Sequence, residues 1–136
     1  MKLFYNNNLS SLKKLASDIE SFSLHNSIPP AVSYALNLCL DEVLTNVISY
    51  STKNNPLNPP IEMDLSTANN SLSATIRDSG PPFNPLNTPP PSHLSSPLED
   101  RPIGGLGIYF LEQYMDKVEY KRENDHNILI LTKYIN

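Results

Sequence analysis

Proline is concentrated in one stretch of this chain and limits what that stretch can form. The sequence has 136 residues and 13 prolines, and eight of the prolines lie between Pro81 and Pro102. Proline donates no backbone hydrogen bond, so a helix interior or a central strand is excluded there. A structureless segment of this length inside a compact domain is uncommon and is usually a functional lid or a disordered insert. We therefore expect structured parts on both sides of a lid-like segment at about residues 81–103.

Apolar spacing predicts two helices before the proline-rich segment and one after it. The first runs roughly from Leu9 to Phe22, where apolar residues recur every three or four positions. The second begins at Pro29-Pro30, because proline is tolerated at the first helical position, and ends near Tyr50. The third follows a glycine-rich run and reaches about Met115.

Short apolar runs bounded by turn residues predict strands. These runs are Met1–Tyr5, Ile61–Leu65, Leu72–Ile76, Val118–Lys121 and Ile128–Leu131. Consecutive strands joined by short turns predict a mixed, mainly antiparallel sheet, and the three helices pack on one of its faces. The last run is continuously apolar, as expected of a central strand covered by helices. The expected fold class is an α+β two-layer sandwich.

Composition narrows the class of protein. The net charge of −4 and the lack of a basic stripe give no support for nucleic-acid binding. The single cysteine, Cys39, excludes an internal disulfide, suits a reducing compartment and reads as a buried apolar residue. No apolar run approaches the ~18 residues of a membrane span, and no signal peptide is evident. We expect one soluble, cytoplasmic domain over residues 1–136, with no membrane association.

Two polar residues of the second helix lie against its apolar stripe. Glu42 and Asn46 are four residues apart and therefore share a face. Asn46 falls inside the border of the apolar stripe, and Glu42 lies at its edge. Buried polar groups are costly unless they are paired, and a metal, a water or a ligand would pair them. Glu42 could act as a general base and Asn46 could ligate Mg²⁺; a polar flank of a partly exposed helix is the alternative.

Asp78 is predicted to point inward at the end of a strand. It continues the two-residue alternation of Ile76, so both side chains face the buried side. Its carboxylate could accept a hydrogen bond from an exocyclic amine such as that of adenine. The alternative is a turn-forming aspartate before Gly80.

A glycine-rich run precedes the third helix. Gly104, Gly105 and Gly107 would let a polyphosphate approach the first amides of that helix. A tight turn explains the same glycines, and neither the P-loop nor the dinucleotide-binding pattern is present. Arg101 could reach a phosphate or could be a solvated charge. The three histidines, His25, His93 and His126, lack metal-ligand spacing and are expected at the surface.

Together these motifs resemble the GHKL ATPases, which share the Bergerat fold. Glu42-x-x-x-Asn46 resembles their N box, Asp78-Ser79-Gly80 their G1 box and Gly104-Gly105-Leu106-Gly107 their G2 box. The runs 78–85 and 101–108 are most similar to the small bacterial anti-sigma-factor serine/threonine kinases of the RsbW type. The resemblance covers nearly the whole chain.

The resemblance implies an ATP site between the helices and the lid, with Mg²⁺ bridging the phosphates. By analogy Asn46 would ligate Mg²⁺, Glu42 would orient or deprotonate the attacking hydroxyl, and Asp78 would hold the adenine amine. Gly80 would let the chain pass close to the base. The remaining nucleotide contacts would come from the G2 box, with the phosphate-binding backbone at Gly105 and Gly107, and with Gly104 and Leu106 beside them.

The resemblance also implies a regulatory role. The family transfers the γ-phosphate of ATP to a serine or threonine of a STAS-domain anti-anti-sigma factor. Many members also bind and silence a sigma factor, usually as homodimers.

Two positions depart from the family pattern. Many superfamily members have a second G1-box glycine where this chain has Pro82, and the final strand often carries a threonine near adenine where the matching position here is Ile130. The first change would stiffen the lid hinge, and the second would remove a polar contact. Two further hypotheses stay open: a non-catalytic, nucleotide-dependent module that sequesters a sigma factor or another partner, and an α+β domain without a nucleotide site.

Overall fold

The structure is a computed structural model that describes residues 1–52, 57–87 and 107–135. Several predicted features lie outside these ranges. They are most of the lid, with His93 and Arg101, and the G2-box residues Gly104, Gly105 and Leu106.

Five strands and three helices form the described fold, and each of them corresponds to a predicted element. The strands are β1 (Lys2–Tyr5), β2 (Ile61–Ala68), β3 (Ser71–Asp78), β4 (Lys117–Glu123) and β5 (His126–Tyr134). The helices are α1 (Ser11–His25), α2 (Pro30–Asn46) and α3 (Gly107–Tyr114). A π-helical turn, Val47–Ser51, continues α2, and a short 3₁₀ turn covers Pro85–Asn87. Three helices on a five-stranded sheet confirm the α+β two-layer class.

The strands are ordered β1-β2-β3-β5-β4, and the four pairings that the structure describes are all antiparallel. β5 lies between β3 and β4, so its continuous apolar run belongs to an interior strand, as predicted. The β2–β3 turn uses Asn69 and Asn70, with φ of 53° and 65°. Asn124 and Asp125, with φ of 52° and 62°, make the β4–β5 turn. Asparagine and aspartate tolerate this left-handed backbone, which two-residue hairpins require.

Helix α2 forms the centre of the helical layer, because it packs against both α1 and α3. Its residues Leu40 and Leu44 are fully buried, as is Ile48 of the π-helical turn that continues it. On the sheet, Ile76 of β3 and Leu131 of β5 are 1% exposed and belong to the same core. The side chains of α2 therefore meet the inner face of the central strands, and the site lies in this layer.

The continuous helix Pro30–Ser51 is long and apolar enough to cross a membrane by length and composition, with a mean hydropathy of 1.2. The sequence alone predicts no such segment. A core helix meets the same criterion, and 50% of this one is buried within the fold. Its apolar character is explained by its central place in the helical layer.

Candidate functional site

A small pocket lies between the helical layer and the inner face of the sheet. It is lined by residues of α2 and its π-helical extension, of α3, of three strands and of the segment after β3: Val43, Asn46, Val47, Ile76, Asp78, Phe83, Pro85, Leu111, Tyr120, Asn127 and Leu129. Its volume of about 30 Å³ leaves room for one or two water molecules. A larger ligand therefore requires part of the lining to move, and Phe83 and Pro85 lie on the segment that follows β3.

Asn46 presents an unpaired oxygen at this pocket. It is the last residue of α2 and is 8% exposed. Within the described part of the chain, its buried Oδ1 has no hydrogen-bond partner. Leaving such a group unpaired costs about 1–3 kcal/mol, so the site favours a ligand that satisfies it. The prediction that Asn46 faces the core is confirmed.

Glu42 lies one helical turn before Asn46, outside the lining of the pocket. It is half-buried, and burial raises the pKa of its carboxyl, with repulsion from Asp41 adding to the effect. A raised pKa makes the carboxylate a better proton acceptor. Burial also raises the pKa of Asp41, a residue that the sequence motif did not single out.

Asp78 is the last residue of β3 and is 5% exposed, so the predicted inward orientation is confirmed. Its Oδ1 accepts three hydrogen bonds, from Ser51 Oγ at 2.6 Å, the Gly80 amide at 2.9 Å and Asn127 Nδ2 at 3.1 Å. Among the described residues, all recorded bonds to this carboxylate use the same oxygen. The carboxylate is therefore held in one orientation from three separate segments.

Asn127 was not predicted as a site residue, although it lies directly opposite Asp78 in the β3–β5 register. It is 5% exposed, and its Oδ1 accepts hydrogen bonds from Tyr120 Oη at 2.6 Å and the Phe83 amide at 3.1 Å. Its position two residues before Leu129 could have revealed it, because alternate residues of a strand share a face.

The register also corrects the expectation for Ile130. Ile130 pairs with Thr75 and Glu119, one step out of phase with Leu129, which lines the pocket. Its side chain therefore points to the opposite face of the sheet, and the absence of threonine there removes no contact from the pocket. The inward polar position on β5 is Asn127.

Gly80 is explained by its contact with Ser51. A Cβ atom added at Gly80 would lie 2.0 Å from Ser51 Oγ and 2.6 Å from Ser51 O. Arg122 Nη1 donates a 2.7 Å hydrogen bond to the Gly80 carbonyl from the other side. Glycine is therefore required for β3 to end against the π-helical turn, whereas its approach to a base stays a prediction.

The G2 box is described only at its last residue. Gly107 is the first residue of α3, in agreement with the prediction that these glycines open a helix. Leu111 of α3 is 2% exposed and lines the pocket. Within residues 1–52, 57–87 and 107–135, no group of three or more His, Cys, Asp or Glu side chains is arranged to hold a metal ion. A metal here would depend on Asn46 and on oxygens of a ligand.

These features, namely a buried helix amide, a strand-end carboxylate and a glycine-opened helix around one pocket, agree with a family model. The model, described as a histidine kinase-like ATPase domain, matches residues 5–133. The chain belongs to this family. The GHKL resemblance carried by the N, G1 and G2 boxes is thereby confirmed.

Curated relatives of this ATPase domain are kinases by name. This chain is 28% identical over 117 residues to the serine/threonine-protein kinase BtrW of Bordetella bronchiseptica. The match covers 85% of this chain and 80% of BtrW. The chain is 27% identical over 103 residues to the serine-protein kinase RsbW of Bacillus cereus, covering 74% of this chain. That match spans only 62% of RsbW.

Solved histidine kinases share the fold. AdeS of Acinetobacter baumannii superposes with a TM-score of 0.53 at 12% identity, over 100% of this chain and 68% of AdeS. The blue-light activated histidine kinase of Erythrobacter litoralis superposes with a TM-score of 0.59 at 14% identity, over 93% of this chain and 41% of that protein. At such identities the likeness extends to the fold alone.

Proposed function

We propose that this ATPase domain is an ATP-dependent serine/threonine protein kinase and anti-sigma factor of a bacterial partner-switching system. Its substrate is a serine or threonine of a STAS-domain anti-anti-sigma factor. The names of BtrW and RsbW as serine or serine/threonine kinases support the activity. The resemblance of the boxes to RsbW-type kinases supports the class of substrate.

The observation that carries the proposal is the pairing of Asn46 and Asp78 in one pocket. Asn46 offers a buried oxygen without a partner, and Asp78 offers a buried carboxylate held by donors on one oxygen. An acceptor carboxylate fits an exocyclic amine such as that of adenine. A neutral amide oxygen is a hard ligand of the kind Mg²⁺ prefers. The two groups therefore suit the two ends of a Mg-nucleotide.

The residues present fit magnesium, since Asn46 Oδ1 is buried, unpaired within the described residues and at the pocket. Bound there, Mg²⁺ would neutralise charge on the transferring phosphoryl group. Asn46 would hold the ion, and phosphate oxygens and waters would complete its coordination.

Glu42 is the proposed general base. The incoming serine or threonine hydroxyl forms a bond to the γ-phosphorus, the bond from that phosphorus to the β,γ-bridging oxygen breaks, and ADP leaves. The hydroxyl proton passes to the Glu42 carboxylate. Burial raises the pKa of this carboxyl, which favours proton uptake.

The remaining roles follow from the resemblance. We propose that residues 1–136 act as one ATP-binding domain with a lid at about 81–103. Gly80 would approach the base, and the phosphates would contact the backbone of the G2 box at Gly104, Gly105, Leu106 and Gly107. Helix α3 begins at Gly107, and its first amides, which lack partners within the helix, would be the donors to the phosphates.

The proposal extends to the partners and the compartment. The resemblance to RsbW-type kinases supports a cytoplasmic protein that forms a homodimer and also binds a sigma factor. The acidic net charge of −4 gives no support for a nucleic-acid partner.

A non-catalytic regulatory module is the second candidate. Pro82 favours it, because it replaces a hinge glycine found in many superfamily members and would stiffen the lid hinge. The small pocket also favours it, because part of its lining must move before a nucleotide fits. Such a module would bind nucleotide to set a conformation and would sequester a sigma factor or another regulator.

The test is phosphotransfer to a cognate STAS partner with Mg-ATP, beside calorimetric titration of Mg-ATP. We expect binding by the wild type and phosphoserine or phosphothreonine on the partner. Glu42→Gln should bind Mg-ATP but lose transfer, whereas the matched control Asp41→Asn should retain both. Binding without any transfer by the wild type would favour the regulatory module, and no binding would remove both candidates.

A further inference from the structure

Asn127 is 5% exposed and joins four other segments of the chain through hydrogen bonds of its side chain. Its Nδ2 donates to Asp78 Oδ1 at 3.1 Å and to the Pro81 carbonyl at 2.9 Å. Its Oδ1 accepts from the Phe83 amide at 3.1 Å and from Tyr120 Oη at 2.6 Å. Its Nδ2 also lies 3.4 Å from Ser51 Oγ. One side chain on β5 therefore contacts the end of β3, the segment after it, β4 and the π-helical turn.

The amide is used to its full capacity. A primary amide offers two N–H donors and an oxygen with two lone pairs. The two N–H groups of Asn127 find close acceptors in Asp78 and Pro81, and its oxygen accepts from two donors. If the amide nitrogen and oxygen of Asn127 were exchanged, the amide oxygen would face two other acceptors, the Asp78 carboxylate and the Pro81 carbonyl. No other side chain of this size supplies donors on one side and an acceptor on the other.

We propose that Asn127 is a positioning residue that fixes the Asp78 carboxylate and residues 81–83 as one unit, so that base recognition depends on it. The inference rests on the proposed function, because it takes Asp78 as the acceptor for the base. With Oδ1 held by Ser51, the Gly80 amide and Asn127, the carboxylate presents its other oxygen in a set direction. Phe83, the last of residues 81–83, lines the same pocket.

Charge around Asn127 makes the role testable by pH. Among the described residues, the titratable or charged groups facing it are Asp78 from β3 and Tyr120 and Arg122 from β4. Arg122 is bonded to the Gly80 carbonyl. Ser51 and Leu111, from the helical layer, carry no charge. In Asn127→Asp, two carboxylates would meet at a hydrogen-bond distance and could not both stay ionised without cost. A shared proton at acid pH would restore the contact to Asp78, although the contact to Pro81 would stay lost.

The experiment measures Mg-ATP affinity of the wild type, Asn127→Asp and Asn124→Asp at pH 8 and pH 5. Asn124 lies in the exposed turn of the same hairpin at φ 52°, where aspartate is tolerated, so Asn124→Asp is the matched amide-to-acid control. We expect Asn127→Asp to bind at least about tenfold more weakly than the control at pH 8, with most of the loss recovered at pH 5.

A second variant covers the case in which Asn127→Asp does not fold. In the ligand-free protein, Asn127→Ala should speed hydrogen exchange at the Phe83 amide at least about tenfold relative to Asn124→Asp, because that amide loses its acceptor. Circular dichroism establishes that the variant is folded. The same variant should lose Mg-ATP affinity.

The outcomes separate the two proposals. A wild type that does not bind Mg-ATP would overturn the proposed function, and the positioning role would fall with it. A wild type that binds, with Asn127→Asp matching Asn124→Asp at both pH values, would overturn the positioning role alone. A folded Asn127→Ala that binds Mg-ATP like the wild type would also overturn it.

Discussion

Ser51 Oγ donates a 2.6 Å hydrogen bond to Asp78 Oδ1, which links the end of the long helix to the end of β3. The two residues are 27 positions apart in the chain, and both are at most 5% exposed. The π-helical turn Val47–Ser51 brings Ser51 to this place. Single π-turns of this kind occur frequently at functional sites. The carboxylate proposed to bind the base is thus held by the same helix that carries Glu42 and Asn46.

Asp78→Asn should remove most Mg-ATP affinity. The amide cannot supply a charged acceptor to the adenine amine, and hydrogen bonds to charged groups contribute about 1.5–3 kcal/mol, or roughly 10- to 150-fold in Kd. Titration calorimetry measures the change. Asp64→Asn, at an exposed residue of β2, is the control and should bind as the wild type does. Equal affinities of the two variants would contradict the proposed role of Asp78.

Asn46→Leu should make the ligand-free protein more stable while abolishing magnesium-dependent nucleotide binding. The buried Oδ1 has no partner within the described residues, so an apolar replacement of similar size removes a desolvation cost. We expect a gain of about 1 kcal/mol, or about 3 °C in Tm, from thermal unfolding without nucleotide. Asn37→Leu, at a half-buried position of the same helix, is the control. A destabilised Asn46→Leu protein would show that the oxygen is satisfied in solution.

Glu42→Gln should raise Tm at neutral pH, and the gain should vanish in acid. Burial raises the pKa of the Glu42 carboxyl in the folded state above its ordinary value of 4.5. The folded state therefore disfavours the ionised form, and the cost appears as pH rises from 4.5 through the raised pKa. Below 4.5 both states hold the proton and the variant gains nothing. Thermal melts between pH 3.5 and 7.5 test this; a gain independent of pH would contradict it.

The same Glu42→Gln protein should lose phosphotransfer by at least about 100-fold, the usual lower contribution of a general base. Asp41→Asn should also be stabilised at neutral pH, because burial raises the pKa of that carboxyl too. Its transfer rate should stay near that of the wild type. A reversed pattern would assign the base to Asp41.

Gly80→Ala should destabilise the fold by about 1–3 kcal/mol, since the new Cβ overlaps Ser51. Ser51→Ala in the same chain should relieve only part of this loss. The Ser51 carbonyl oxygen would still lie 2.6 Å from the added Cβ. Urea unfolding of the two single variants and the double variant measures the coupling. Full recovery in the double variant would show that the hydroxyl alone requires the glycine.

Cys39 should not react with thiol reagents in the folded protein at pH 8. Its thiol is 0% exposed, and burial raises its pKa to about 12. The thiolate is the reactive form, so both access and ionisation are suppressed. A disulfide-exchange reagent should label it only in denaturant, with one equivalent per chain. Fast labelling without denaturant would indicate that α2 and α3 separate readily.

Much of the fold could be predicted from local patterns. Alternation placed Asp78 inward with Ile76, helical spacing placed Asn46 against the core, and the short turn expected between the second and third strands is present at Asn69 and Asn70. Each of these features depends on residues close in sequence, where the period of a helix or a strand determines the face.

The polar network around Asp78 could not be predicted in this way. Asn127 and Asp78 meet over a separation of 49 residues, and their pairing depends on the register of β5 against β3. Taking Ile130 as the match for the family's threonine near adenine was wrong, because it is one residue out of phase with Leu129 and its side chain faces away from the pocket.

The sequence by itself determined the elements, the inward direction of Asn46 and Asp78, and the boxes that indicate the family. Only the tertiary structure decided which groups hold Asp78 and why residue 80 is glycine. Periodicity is local, whereas the contacts of Ser51, Gly80 and Asn127 are made between segments whose relative position is set by packing of α2 on the sheet.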